Sequence, residues 1–150
     1  MKEIFAALYE NDWFGIYSEN HYLIFQTLFD DGGYIKLGLS VILIPLFCWL
    51  VFYYIWRYPY GKLWHWLLWL LFTTALVFAA TWGIANTEIF ASSNQDLIDA
   101  LAAPESGYDV YAASLPFKYA LFNGGLSLFI SLLFSLIMKQ FSKIQIHLPF

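Results

Sequence analysis

Three stretches of this chain are long and apolar, and none carries an Asp, Glu, Lys, Arg or His beyond its first or last turn. They run 37–55, 63–85 and 119–138. A helix needs roughly 20 mostly apolar residues to cross a hydrocarbon core of about 30 Å. Lipid offers nothing to an unpaired backbone N–H or C=O, so each stretch is expected to cross as a helix. The expected fold class is all-α: one membrane domain of three transmembrane helices with a small helical extramembrane cap.

Composition agrees. Apolar residues make up 61% of the chain and charged residues 12%, against roughly 45–50% and about 25% in soluble domains. Disorder is excluded, because it requires low hydrophobicity and high charge. Seven Lys and Arg against eleven Asp and Glu, with a net charge of −4, argue against nucleic acid as a partner. The single cysteine excludes an intrachain disulfide and any CxxC metal or redox site. The lipid bilayer is the partner that composition requires.

The first two stretches are joined by Trp56-Arg57-Tyr58-Pro59-Tyr60-Gly61-Lys62. Pro59 and Gly61 favour a turn, and so short a link makes the two helices an antiparallel hairpin. Tyr54, Trp56, Trp64 and Trp66 crowd this end beside Arg57 and Lys62. Amphipathic rings and cations at a membrane boundary act as interfacial anchors, and these six residues are read as such. Met1-Lys2-Glu3 opens a mixed amphipathic segment rather than the apolar core of a secretory signal, so no cleaved leader is expected.

Three spans put the termini on opposite sides. Arg57, Lys62, Lys139 and Lys143 lie on one side with no acid. All eleven acids lie on the other, with Lys2, Lys36 and Lys118. The density of positive charge on the first side makes it cytoplasmic under the positive-inside rule. The expected localisation is a multi-pass protein of the cell membrane, with N-terminus outside and C-terminus in the cytoplasm. In a Gram-negative bacterium this would be the inner membrane.

The outer segments carry helical patterns of their own. In the amphipathic segment 1–36, Ile4, Phe5 and Leu8 share a face. A second helix is expected from near Ser18 or Asn20 through His21–Phe29, stopping at Asp30-Asp31-Gly32-Gly33. It is too short to span, so it is expected at the interface or docked on the outer ends of the spans. The outer loop 87–118 offers Ser92-Ser93-Asn94 as caps for a short helix to about Ala103, ended by Pro104. From Ser106-Gly107 the chain is expected to return to the third span as loop.

No constellation for chemistry emerges. His21, His65 and His147 lack the spacing of a zinc site. Cys48 lies in the first span with no base beside it. There is no GxSxG, and Gly32-Gly33 and Gly124-Gly125 lack the rest of a phosphate fingerprint. Asp30, Asp31, Asp96 and Asp99 match no calcium loop and read as a solvated face. No catalytic residue, cofactor or metal is assigned.

The feature that stands out is in the third span. Asn123, Ser127, Ser131 and Ser135 repeat at four-residue spacing. Each such step rises about 6 Å and drifts about 40° around a helix, so the four form one polar ridge. Ala75, Ala79 and Gly83 form a ridge of small residues on the second span. Small residues let helices approach closely in lipid, and serines add interhelical hydrogen bonds. The ridges are expected to pack within the chain, pack between subunits, or line a wet pore. Pro45 is expected to kink the first span. The function expected is a non-enzymatic membrane subunit that assembles, with itself or with other membrane proteins, through these ridges. The alternatives are an oligomeric pore or channel lined by the third helix and, less supported, a small membrane enzyme.

Overall fold

A computed structural model of the protein describes residues 2–10, 16–55, 63–103 and 105–142. Among these residues every regular element is helical. Helix α1 is Lys2–Tyr9, α2 is Tyr22–Asp30 and α3 is Gly33–Leu50, which continues as a π turn over Val51–Ile55. Helix α4 is Leu63–Phe90, α5 is Gln95–Ala102 and α6 is Tyr108–Phe141. Three segments are long and apolar enough to cross a membrane: Gly33–Ile55, Leu63–Phe90 and Tyr108–Phe141. The protein is therefore all-α with a three-helix membrane unit. Trp56, Arg57 and Lys62, expected as boundary anchors, lie outside the described residues.

The most extensive pairing is α4 with α6, and α3 packs against both. Helix α4 turns Thr73, Val77, Thr81, Ala85 and Ile89 inward, one residue every four. Helix α6 turns in Tyr119, Asn123, Ser127, Ser131 and Ser135 at the same spacing. The lipid-facing sides carry large apolar side chains, among them Phe47, Leu71, Phe129 and Leu133.

The cap is built from α1, α2, α5 and the first turns of α6. Gly32 ends α2 in the left-handed region, with φ +74°, where a residue without Cβ is unstrained. Gly33 then starts α3 directly; a Cβ there would lie 2.8 Å from the Leu28 side chain. Helix α5 starts where the sequence puts its cap: the Asn94 side chain accepts from the Asp96 N–H at 3.1 Å. The cap core joins Tyr9, Ile24, Leu28, Leu97, Ala112 and Leu115. His21 stacks on Tyr111 with centroids 4.2 Å apart, tying the start of α2 to α6.

Several details differ from expectation: the first span starts at Gly33 rather than Leu37, and α4 runs past Ala85 to Phe90, into the expected outer loop. The third helix begins at Tyr108 rather than near Tyr119, so 108–118 is not a returning loop. Asp109, Ser114, Pro116 and Lys118 hide this stretch from a hydropathy reading. Burial of Ala112, Leu115 and Tyr119 on one face holds it helical. At 34 residues, or about 51 Å, α6 outruns a hydrocarbon core of about 30 Å and carries the cap on its surplus turns. In α1, Tyr9 and Ala6 are the buried residues, whereas Ile4 is exposed.

Candidate functional site: the polar seam and the outer face of α4

All four ridge residues of α6 are fully buried within one copy of the chain. Two hydrogen-bonded knots hold this seam. In the knot beside the cap, the Tyr9 hydroxyl donates to Asn123 Oδ1 at 2.9 Å. Asn123 Nδ2 donates to the Leu37 carbonyl at 3.2 Å and to Thr81 Oγ1 at 3.1 Å. Ser40 lies 3.4 Å from Thr81 Oγ1 and donates to the same Leu37 carbonyl at 2.7 Å. One amide thus ties α1, α3 and α4 to α6. Tyr9 also stacks on Tyr34 and meets Tyr119 edge-on, at centroid distances of 5.8 and 5.6 Å.

In the knot at the opposite end of the bundle, Ser135 Oγ lies 2.8 Å from the Tyr53 hydroxyl and accepts from Trp66 Nε1 at 2.8 Å. Ser142 Oγ donates to the Tyr53 carbonyl at 2.8 Å, fastening the end of α6 to the π turn. Trp49, Phe52 and Met138 pack around these groups. Trp66 is therefore no lipid anchor: its indole is 5% exposed and its N–H is spent on Ser135. Trp64 and Tyr54, at 64% and 42% exposed, do face outward at this end.

Between the knots the seam is less tied. Ser127 Oγ donates to its own helix at the Gly124 carbonyl, 2.7 Å away. Ser131 Oγ is buried with no hydrogen-bond partner among the described residues. None of these side chains is an acid, a base or a metal ligand of ordinary strength. What the seam can do chemically is pair polar groups that lipid cannot pair. Among the described residues, no three His, Cys, Asp or Glu side chains converge as a metal site.

Ala75, Ala79 and Gly83 lie elsewhere. All three are exposed, and a Cβ on Gly83 would meet nothing within 4 Å. The inward series Thr73, Val77, Thr81 is offset from them by two residues, or about 200° around the helix. The two ridges therefore do not pack on each other: the α6 ridge faces the bundle interior and the α4 ridge faces out.

Sequence reasoning missed Tyr9, Ser40 and Tyr53 as partners of the ridge. Tyr9 and Tyr53 sit at or near helix ends, far from Asn123 and Ser135 in sequence, and no local pattern marks them. Thr73 and Thr81 did carry a signal, since residues eight apart share a helical face with Val77 and Ala85. No family model, curated protein or solved structure matches the chain.

Proposed function

We propose that the protein is a non-enzymatic subunit of a membrane complex, and that it joins its own copies or other membrane proteins through the outward face of α4. The observation that carries this reading is the stripe Ala75, Ala79 and Gly83. Of the three spans, α4 has the smallest share of its apolar window buried, 22%. Large side chains suit a lipid-facing helix, whereas small ones at this spacing suit close approach of another helix. The polar seam of α6 then acts inside each subunit and fixes how its three helices pack.

A pore lined by Asn123, Ser127, Ser131 and Ser135 would need those groups to face water. Their burial against α3 and α4 of the same chain favours the assembly reading instead. We place the acidic cap outside the cell membrane and the 56–62 turn in the cytoplasm, on the strength of the basic turn and tail.

The assembly reading is tested by Ala79→Leu with Gly83→Leu. Within one copy both side chains enter open space, so the subunit is expected to fold and insert as before. The mass of the complex in mild detergent is expected to fall. A wild-type protein that runs only as a 17.4 kDa chain, with nothing co-purifying, would refute the reading.

A further inference from the structure

Where α3 passes α4 it is not a regular helix. Pro45 lies inside it and supplies no N–H to the helical ladder. Further along, the helix loosens into the π turn Val51–Ile55, a form found mostly in short irregular pieces. On the outward side of the α3–α4 contact, from just before Pro45 to the first residue of the π turn, runs a groove of about 430 Å³. Leu43, Phe47, Phe72 and Leu76 wall it, and Cys48 and Trp69 lie at its base.

The groove has fixed walls. The Trp69 ring packs against Phe52 and Phe72, with centroids 5.7 and 5.5 Å away. Trp69 Nε1 donates to the Cys48 carbonyl at 3.0 Å, so the strongest donor at the base is already committed. The Cys48 thiol is a weak donor. An occupant here gains from apolar contact and finds little to satisfy a polar group.

Size and depth narrow the occupant further. From Leu43 to Val51 the groove follows about 12 Å of helix axis. A helix that crosses a hydrocarbon core of about 30 Å would overrun a groove of this length. Both walls belong to the interiors of their spans, Gly33–Ile55 and Leu63–Phe90, a depth that lipid tails reach and headgroups do not.

We infer that the groove holds one acyl chain of a membrane lipid, bound for longer than the lipid that surrounds the rest of the protein. The chain fills the concave side of the α3–α4 hairpin where the irregular helix leaves space, and replaces contacts that the helices do not make with each other. On α4 the groove wall, Phe72 and Leu76, borders the Ala75–Ala79 stripe proposed for assembly, and the two readings are tested separately.

The test uses the full chain in phosphatidylcholine vesicles doped with a phosphatidylcholine bearing a diazirine midway along one tail. The vesicles are chased with excess unlabelled lipid, irradiated, and the adducts mapped by peptide mass spectrometry. After the chase, adducts are expected severalfold more often on 43–51 and 69–76 than around Phe129 and Leu133 of α6, which are also exposed. In the double variant Leu43→Phe with Leu76→Phe, which adds bulk to both walls, that enrichment is expected to vanish. Equal labelling of the groove and the α6 face in the wild type would overturn the inference, whether or not the variant folds. So would an absence of adducts on 43–51 and 69–76 where the α6 face is labelled, since it would show protein rather than lipid covering the groove.

Discussion

Tyr9, at the end of the first helix, donates a 2.9 Å hydrogen bond to Asn123, which is 114 residues away and buried at the cap end of the third span's polar ridge. The bond locks the cap onto the membrane unit, because the same Asn123 amide also holds α3 and α4. Tyr9→Phe keeps the ring between Tyr34 and Phe122 but leaves Asn123 Oδ1 without this donor. A buried acceptor stranded in this way costs about 1–3 kcal/mol. Hydrogen exchange of α1 is expected to speed up, with the amides of Val77 and Thr81 in α4 unchanged.

The same tyrosine gives the cap a pH dependence. Burial pushes the Tyr9 phenol well above its ordinary value, which is about 10. The folded form therefore keeps its proton where the undocked form loses it. Stability from this group is full below about pH 10 and declines as pH rises beyond it, because the undocked state then binds fewer protons. Protease resistance of the cap is expected to hold level from neutral pH to about 9 and fall above about 10. In Tyr9→Phe the alkaline loss is expected to shrink by the share that Tyr9 contributes. A cap in the parent protein that stays equally resistant through pH 11 would contradict this.

Gly38 marks the place where α1 lies against α3. A Cβ there would fall 2.2 Å from the Phe5 ring, whereas one on Gly125 would meet nothing within 4 Å. Gly38→Ala is expected to displace Phe5 and loosen α1, at about 1–3 kcal/mol for overpacking of this kind. Gly125→Ala is expected to leave the cap unchanged. Limited proteolysis of the N-terminal segment compares the two. Equal resistance in both would show that the helices can move apart at no cost.

The three spans were legible because lipid forces each crossing stretch to be long, apolar and helical. The α5 cap was legible because Asn94 acts on residues next to it. The direction each face points was harder to read. Serine is small enough for an interior, an interface or a wet lining, so the spacing of Asn123 to Ser135 showed a ridge and not its neighbour. The neighbours, Tyr9, Tyr53 and Trp66, come from remote helices. Trp66 shows the difficulty from the other side: at a membrane boundary an indole can face headgroups or turn inward, and a hydroxyl waiting on α6 turned this one in. On α4 two ridges at the same spacing competed, and the partner-facing one was the threonine series.

The two inner serines of the ridge are adjacent turns of one helix, equally buried, and differently used. Ser135 Oγ serves both the Tyr53 hydroxyl and the Trp66 N–H, whereas Ser131 Oγ has no hydrogen-bond partner among the described residues. Ser135→Ala strands the buried Trp66 N–H and removes a partner from Tyr53, at a cost of about 1–3 kcal/mol per stranded group. Ser131→Ala removes a buried hydroxyl that gains nothing from its surroundings, so it is expected to be neutral or slightly stabilising. Ser131→Leu adds bulk between closely packed helices and is expected to cost about 1–3 kcal/mol, although leucine inserts into lipid more readily than serine. Thermal unfolding in detergent should therefore rank Ser131→Ala at or above the parent, with Ser135→Ala and Ser131→Leu below it. All three are expected to insert normally, because the spans remain apolar. If Ser131→Leu and Ser135→Ala melt with the parent protein, the ridge does not hold the bundle together and the interior seam loses its structural role.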